Sequence, residues 1–315
     1  MENNLLENKE IANVDQKNLT QIQKTYKKKF CDRKDGRLLR TIDPLAYVAN
    51  FIMSNRIGSQ NLIKDCVDIE NINKFVHKKR AEGFTGFGTM HVLIAAYIRT
   101  LSQRPALNRF ISGQRIFARY NIEIIMAIKK QMSLEAPETM EKFIFGYNAT
   151  IFDVYNQFNN KILKIKDTTE DDTNFDKLAG LLGKIPRFLL RWTIKFLNFL
   201  DYYGKLPTFL TNLSPFHGSL VITSMASLGI PPIYHHLYDF GNVPVFIAFS
   251  ATRHENVLDK NGDIKSIRYL DFTISTDERI CDGFYFASAL KEFKKYLKNP
   301  QLLENPPLQI VEDIQ

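Results

Sequence analysis

Segments with the spacing of β-strands alternate with segments with the spacing of α-helices along most of this chain. Runs rich in β-branched and aromatic residues predict strands at 61–69, 116–128, 143–147, 219–224, 243–250 and 267–275. Helical spacing predicts helices at 44–55, 70–80, 89–102, 150–165, 175–203 and 284–297. Because the two types are interleaved, the chain is predicted to be α/β, with a mixed β-sheet flanked by helices.

No internal repeat or long low-complexity linker divides the 315 residues, and 44% hydrophobic with 24% charged residues suits a folded protein. We expect one domain at 41–300, after a polar basic arm and hairpin at 1–40 and before a C-terminal tail at 301–315. The hairpin is predicted from Asp35-Gly36, because a type I′ turn needs positive φ at both central residues. An acidic break at 167–172 and a turn at 259–263 are also expected.

The number and spacing of the cysteines indicate in which cellular compartment the protein folds. Cys31, Cys66 and Cys281 are odd in number and widely spaced, so neither a disulfide framework nor a cysteine-based zinc site is expected. The start of the chain has no apolar segment typical of a secretory signal. A cytoplasmic protein is therefore predicted.

The net charge of +8 is concentrated in two places. Residues 1–40 carry ten Lys and Arg against six Asp and Glu, and residues 181–205 carry five against one, so each region has a net charge of +4. The first region centres on Lys27, Lys28 and Lys29 in a polar leader, which is typical of a solvated arm. No nucleic-acid partner is predicted.

Near the C-terminus, Asp277-Glu278-Arg279-Ile280-Cys281-Asp282-Gly283 lies between a predicted strand and the last predicted helix. It resembles the Asp-His-Arg-x-x-Asp-Gly signature of the catalytic domain of dihydrolipoyl acyltransferases from 2-oxo acid dehydrogenase complexes, which share their fold with chloramphenicol acetyltransferase. Two further segments resemble the family in the same order. Arg104-Pro105-Ala106-Leu107-Asn108-Arg109 is similar to its Pro-x-Leu-Asn element, and Ile222-Thr223-Ser224-Met225-Ala226-Ser227-Leu228-Gly229 is similar to its Thr-Ile-Ser-Asn-Leu-Gly strand.

The resemblance implies a chloramphenicol acetyltransferase-like two-layer fold and a homotrimer with active sites at subunit interfaces. It also implies CoA-dependent acyl transfer: a histidine removes the proton of a thiol or hydroxyl acceptor, which attacks the thioester, while a Ser or Thr hydroxyl donates to the oxyanion. Matched residue by residue, the oxyanion donor falls on Thr223, with Ser224 adjacent. The carboxylate after the base falls on Asp282, and the base itself falls on Glu278.

Glu278 is a departure from the family, and three interpretations stay open. A carboxylate has a pKa near 4.3, whereas imidazole has a pKa near 6.5 and a thiol has a pKa near 8.5. Unless burial raises its pKa, a carboxylate is therefore a much weaker base toward a thiol than imidazole is. In the first interpretation Glu278 acts as such a buried base. In the second a histidine elsewhere in the chain takes over as the base, and in the third transfer activity has been lost. The last case would leave a catalytically inactive trimeric protein that binds acyl-CoA or serves as a scaffold.

Tyr234-His235-His236-Leu237 offers the substitute base. Alternatively, both histidines are loop residues that pack on Tyr234 and Tyr238. No third Cys, Asp or Glu stands at a zinc-binding spacing, so no metal is expected. Asp282 can also have a purely structural role before the last helix, where Gly283 permits the chain to reverse.

Three cations, Arg187, Arg191 and Lys195, recur every four residues and share one face of a predicted helix whose other faces are almost wholly apolar. They interrupt the most apolar region, 185–200, which therefore should not span a membrane. Three roles are open. The helix belongs to the core with cations reaching solvent, it lies on a membrane surface or a partner, or it helps to bind CoA phosphates.

Only residues 1–40 precede the region that resembles the family. That length leaves no room for a lipoyl domain and its linker, so a stand-alone protein without lipoyl attachment is expected, with acyl-CoA as its only cofactor-like substrate.

Overall fold

The computed structural model describes residues 27–129, 138–167, 180 and 182–315. Its strands are β1 (Gly36–Leu38), β2 (Gln60–Asp68), β3 (Arg109–Ser112), β4 (Arg115–Arg119), β5 (Ile122–Lys129), β6 (Glu138–Phe145), β7 (Leu220–Ser224), β8 (Val245–Leu258) and β9 (Ile264–Asp277). Its helices are α1 (Pro44–Ile52), α2 (Glu70–Ala81), α3 (Thr89–Gln103), α4 (Ile151–Asp167), α5 (Arg187–Tyr202), α6 (Thr208–Leu213) and α7 (Gly283–Lys298). Strands and helices are interleaved, which confirms the predicted α/β class.

Local sequence explains where helices begin. The Asp43 carboxylate accepts a hydrogen bond from the Leu45 amide at 2.8 Å, and Pro44 supplies a helical φ at the first position of α1. Asp282 caps α7 in the same way, because its carboxylate accepts from the Tyr285 amide at 2.7 Å. Helix α3 is apolar on every face and is buried over most of its length.

The central sheet has six strands in the order β2-β9-β8-β7-β5-β6. Strand β7 pairs in parallel with β5 and with β8, and the other neighbours are antiparallel. The connection from β7 to β8, residues 225–244, contains one short 3₁₀ turn and no α-helix. It crosses one face of the sheet, where the Thr273 and Ser275 hydroxyls donate to the carbonyls of Ile233 and His235.

The two faces of the sheet are covered differently. On the first face, α3 and α7 pack over fully buried side chains such as Ile222 and Phe272. On the second face, a smaller apolar cluster forms around Val221, Leu237 and Phe246. Leu237 belongs to the 225–244 connection, so a loop segment closes this face instead of a helix.

The predicted hairpin at 31–40 is wrong. Gly36 begins β1, which pairs with β4 in a small sheet of order β1-β4-β3, and Gly36 lies opposite Arg119. Its φ is not positive, so no type I′ turn forms there. Instead, the glycine allows β1 to lie close to β4, because a Cβ at Gly36 would lie 2.7 Å from the Ala118 carbonyl oxygen.

The C-terminal segment is bonded to the domain. The amides of Arg40 and Thr41 donate to the Gln315 carbonyl at 3.0 and 2.8 Å, and the Val311 amide donates to the Ser102 carbonyl at 2.9 Å. The turn predicted at 259–263 joins β8 to β9, and the Asp259 amide donates a hydrogen bond to the Asp263 carbonyl across it.

Helix α5 begins directly after Pro186, where the ring interrupts any preceding helix. The predicted break at 167–172 beyond Asp167, and residues 175–179 and 181 of the predicted helix at 175–203, lie outside the described residues. Asp201 is the one buried residue of α5, so the interpretation as a core helix is wrong. None of the described helices is long and apolar enough to cross a membrane.

A buried group of three charges, the Asp277 cluster, holds the end of β9. Asp277 accepts two hydrogen bonds from the Arg279 guanidinium, both at 2.8 Å, and faces Arg56 at 3.5 Å. Arg279 also donates to the Met53 carbonyl after α1, and Arg56 donates to the Tyr238 carbonyl in the 225–244 connection. The cluster therefore joins three separate chain segments at one end of the sheet.

Replacing Asp277 by alanine should lower the free energy of unfolding by about 3–5 kcal/mol, because two guanidinium groups would stay buried without their carboxylate. Asp282→Ala is the matched control in the same loop and should cost about 1 kcal/mol, since it removes only an exposed N-cap. Urea unfolding measures both values. Equal losses for the two variants would show that the Asp277 cluster does not stabilise this end of the sheet.

Candidate functional site

The signature segment, residues 277–283, connects β9 to α7. Asp277, Arg279 and Ile280 are buried, whereas Glu278 and Asp282 are exposed. The buried side chains hold the segment to the domain, so its fold does not depend on the exposed ones. The Asp282 carboxylate caps the N-terminus of α7, which is the structural role considered for it.

Glu278 points its side chain away from the domain. Its amide donates to the Ser59 carbonyl at 2.9 Å, which pins the backbone against the start of β2. Within the described residues, the Glu278 carboxylate has no hydrogen-bond or ion-pair partner, and the neighbouring Arg279 is engaged by Asp277. The carboxylate is thus held in place only by its backbone and is open to solvent on a single chain.

Cys281 stands beside Glu278 but is unsuited to covalent catalysis. Burial raises the pKa of its thiol to about 12, against a smaller opposing effect of the Arg109 charge. The thiolate is the nucleophilic form of cysteine, and it is scarce at neutral pH when the pKa is so high. Cys281 therefore contributes packing at this site.

Thr223 and Ser224 end strand β7. Both side chains are partly exposed. The chain leaves the sheet directly afterwards, where the Met225 amide donates to the Phe249 carbonyl at 2.7 Å and the Ser224 hydroxyl accepts from the Ala226 amide at 3.3 Å. Because side chains alternate along a strand, Thr223 lies on the same sheet face as Val221, the face crossed by the 225–244 connection.

Strand register separates Thr223 from Glu278 within one chain. Thr223 lies opposite Ala248, which lies opposite Thr273, so Thr223 and Thr273 are two strand spacings, about 10 Å, apart. Asp277 lies four residues beyond Thr273, about 13 Å further along β9. Glu278 and Thr223 are therefore at opposite ends of the sheet, far beyond the hydrogen-bond distance that one active site requires.

The two histidines lie on the 225–244 connection, with His235 level with Ser275, between Thr273 and Glu278 along β9. The His235 carbonyl accepts from Ser275, three residues before Glu278, and the Leu237 amide donates to the Gln60 side chain at 3.2 Å. His235 stacks on Phe246 with ring centroids 4.0 Å apart, and both histidines contact Tyr238. Burial lowers the pKa of His235, so its ring is neutral near pH 7.

Two of the three motif segments, the Pro-x-Leu-Asn element and the signature segment, are brought together. Arg109 donates to the Ile280 carbonyl at 3.1 Å, and the Ala106 amide donates to the Tyr285 hydroxyl at 3.1 Å. The Pro-x-Leu-Asn element is a buried 3₁₀ turn, Pro105–Asn108, that packs against the signature segment. Arg56 was missed by sequence reasoning, because no motif or spacing marks this single arginine as the partner of Asp277.

A metal site does not emerge from the described ranges 27–129, 138–167, 180 and 182–315. No group of three or more His, Cys, Asp or Glu side chains in them is placed to hold an ion.

Comparison with known proteins agrees with this geometry. Residues 242–304 match the family model described as 2-oxoacid dehydrogenases acyltransferase (catalytic domain), and they contain β8, β9, the signature segment and α7. No curated protein matches the chain in sequence.

Solved structures give the fold. A probable dihydrolipoamide acetyltransferase from Listeria monocytogenes 4b F2365 has a TM-score of 0.52 and 14% identity, over 82% of this chain and 94% of that chain. A chloramphenicol acetyltransferase has a TM-score of 0.47 and 13% identity, over 83% and 100%. A truncated catalytic core of the 2-oxoacid dehydrogenase multienzyme complex from Thermoplasma acidophilum has a TM-score of 0.47 and 12% identity, over 83% and 98%.

The match over 242–304 confirms the resemblance that the signature segment indicated, while a likeness at 14% identity speaks for the fold alone. Residues 242–304 match the family model of the 2-oxoacid dehydrogenases acyltransferase catalytic domain, and the fold of the chain is similar to that of a probable dihydrolipoamide acetyltransferase.

Proposed function

We propose that this protein is a CoA-dependent acyltransferase that moves an acyl group from a CoA thioester to a thiol or hydroxyl acceptor. The family match over 242–304 supports the reaction class. The observation that supports the site is the placement of Glu278 and Thr223 at opposite ends of one sheet, each accessible to solvent. Two such half-sites form one site when Glu278 of one copy meets Thr223 of another.

In the proposed reaction, Glu278 accepts the proton of the acceptor S–H or O–H group. The acceptor atom forms a bond to the thioester carbonyl carbon, and the Thr223 hydroxyl, assisted by Ser224, donates a hydrogen bond to the oxyanion. The intermediate collapses by breaking the carbon–sulfur bond to CoA, and the CoA thiolate takes the proton from Glu278. Protons and electrons balance, so no further reactant is required.

Exposed apolar side chains on α1 and directly after the signature segment support assembly. Leu45 and Ile52 of α1 are each 75% exposed, and Phe284, just after the signature segment, is 88% exposed. The end of α1 touches this segment through the bond from Arg279 to the Met53 carbonyl. Contiguous exposed apolar surface marks interaction sites, and burial there would remove water from Glu278 and strengthen it as a base.

The proposed assembly is a homotrimer. A contact between two different patches of the same chain is heterologous, and it closes into a ring when the rotation permits. Three copies of a 36.5 kDa chain have a mass of about 110 kDa. Each ring would hold one complete site at every contact. The unpaired Cys31, Cys66 and Cys281 support a cytoplasmic setting for it.

One observation favours a second candidate, a catalytically inactive trimeric protein that binds acyl-CoA or serves as a scaffold. A catalytic base is normally oriented by a second group, and among the described residues none forms a hydrogen bond or ion pair with the exposed Glu278 carboxylate. A variant of the first candidate has His235 or His236 as the base, because Ser275, which bonds the His235 carbonyl, lies three residues before Glu278 and His235 is neutral.

Glu278→Gln should lower turnover by about 10²- to 10⁴-fold, the usual contribution of a general base, and leave acyl-CoA binding intact. Release of free thiol from acetyl-CoA with a simple thiol acceptor measures turnover, and calorimetry measures binding. Glu312→Gln, another exposed glutamate, is the matched control and should have no effect on either.

Glu278→His restores the family signature and separates the candidates. Increased transfer would show that the remaining groups are competent, whereas binding without any turnover in wild type and in Glu278→His would favour the binding protein. Turnover unaffected by Glu278→Gln but abolished by His235→Gln or His236→Gln would transfer the base assignment to that histidine.

Mixing two inactive variants tests the shared site. Glu278→Gln and Thr223→Val are each expected to be inactive, but unfolding and refolding them together at equal ratio should restore about a quarter of wild-type turnover. That fraction is the chance that an unaltered Glu278 meets an unaltered Thr223 in a randomly assembled ring. Refolding each variant alone is the control, and no recovery in a mixed trimer would contradict a site shared between copies.

A further inference from the structure

Helix α5 presents two different stripes to solvent. The basic stripe consists of Arg187, Arg191 and Lys195, spaced every four residues. The aromatic stripe consists of Phe188, Trp192, Phe196 and Phe199, spaced three or four residues apart on the adjacent side of the helix, and Tyr203 at its C-cap. The two stripes therefore run side by side over the first half of the helix, about 12 Å, and the aromatic stripe continues to its C-terminal end.

The aromatic stripe is unusually exposed. Phe188 is 71% exposed, Trp192 67% and Phe196 59%, although burying each such ring would be favourable. Soluble proteins seldom leave a continuous row of large aromatic side chains in water. The row therefore has a binding role that the isolated chain does not fulfil.

The remaining face of α5 is less exposed than the two stripes. Leu190, Leu197 and Leu200 are partly buried, in contrast to the aromatic residues of the neighbouring stripe. The helix thus has three distinct faces, and the apolar face without aromatic residues is the least exposed.

The C-terminal end of α5 is held rigidly. Arg33 donates to the Asp201 carboxylate at 2.8 Å and to the Asp201 carbonyl at 2.6 Å, and Tyr202 donates to the Gln114 side chain at 2.9 Å. Gly113 lets the β3–β4 turn approach closely, because a Cβ there would lie 2.4 Å from the Tyr202 carbonyl oxygen. These contacts fix the orientation of both stripes relative to the domain.

We propose that the basic and aromatic stripes of α5 dock this protein onto an anionic membrane surface. A helix that lies in the interfacial plane places aromatic and aliphatic side chains at the boundary of the acyl chains and its Lys and Arg side chains among the headgroup phosphates. Lys195 lies over the Trp192 ring at 5.5 Å, so charge and ring reach the same depth. Docking does not depend on the acyl-transfer reaction.

Charge disfavours a symmetric contact between the α5 helices of two copies. If α5 met α5 of another copy, two basic stripes would face each other across the contact and repel. A leaflet rich in phosphatidylserine supplies the opposite charge, and each Lys or Arg near it contributes attraction that salt weakens.

Co-sedimentation with vesicles tests this proposal. The full chain should bind vesicles with about one-third phosphatidylserine, bind phosphatidylcholine vesicles much more weakly, and dissociate as salt rises from about 0.05 to about 0.5 M. The triple variant Arg187→Gln, Arg191→Gln and Lys195→Gln should bind the anionic vesicles on the order of a hundredfold more weakly.

The matched control is Lys64→Gln, Lys291→Gln and Lys298→Gln, which removes the same charge from exposed lysines of β2 and α7. It should reduce binding by no more than a few-fold. Equal losses in the two triple variants would mean that net charge, and not the α5 surface, attracts the protein, and would overturn the proposal. Phe196→Ala should weaken binding without changing its dependence on salt.

Trp192 is the single tryptophan of the chain and reports on α5 directly. Its emission should shift to shorter wavelength when anionic vesicles are added, and the shift should saturate together with co-sedimentation. A shift that appears with rising protein concentration and no vesicles would identify another copy as the occupant. No shift in vesicle-bound protein would show that a different surface binds the membrane. Either result contradicts the proposal and leaves acyl transfer untouched.

Discussion

The register of β7, β8 and β9 is the constraint from which the proposed function follows. Backbone hydrogen bonds fix Thr223 level with Thr273, and the remaining residues of β9 carry the chain to Glu278 at the other end of the sheet. Side-chain rotation cannot close a gap of more than about 10 Å between two strand ends. Any site that uses both residues therefore needs two copies of the chain, and this requirement connects the catalytic proposal to the oligomeric state.

Two buried groups of charges attach the exposed functional elements to this sheet. Asp277 with Arg56 and Arg279 holds the signature segment, and Arg33 with Asp201 holds the end of α5. Buried guanidinium groups are costly without carboxylates, so each group resists rearrangement of the segments it joins. As a result Glu278 and the stripes of α5 are presented to solvent from rigid supports.

Glu278 itself illustrates how the surroundings decide the chemistry of a residue. It is the residue proposed as the base, and its backbone is fixed by the Ser59 carbonyl, yet its carboxylate forms no hydrogen bond or ion pair with the described residues. In water such a carboxylate is a weak base, whereas at a dry interface it becomes a stronger one. The apolar side chains of α1 and Phe284 would provide that interface only in an assembly.

The sequence by itself determined the α/β class, most strands and helices, and the resemblance carried by residues 277–283, because these depend on local spacing and on short motifs. It also placed Asp282 at the start of α7, where a capping carboxylate is a local requirement. It did not distinguish a turn glycine from Gly36, which is needed for close approach to β4.

Only the tertiary structure decided that α5 lies on the surface, that Arg56 pairs with Asp277, and that Glu278 and Thr223 are far apart in one chain. Periodicity tells which residues share a face of a helix or strand, but it does not tell what covers that face. Contacts between residues distant in the sequence are set by the packing of the whole domain, so no local pattern contains them.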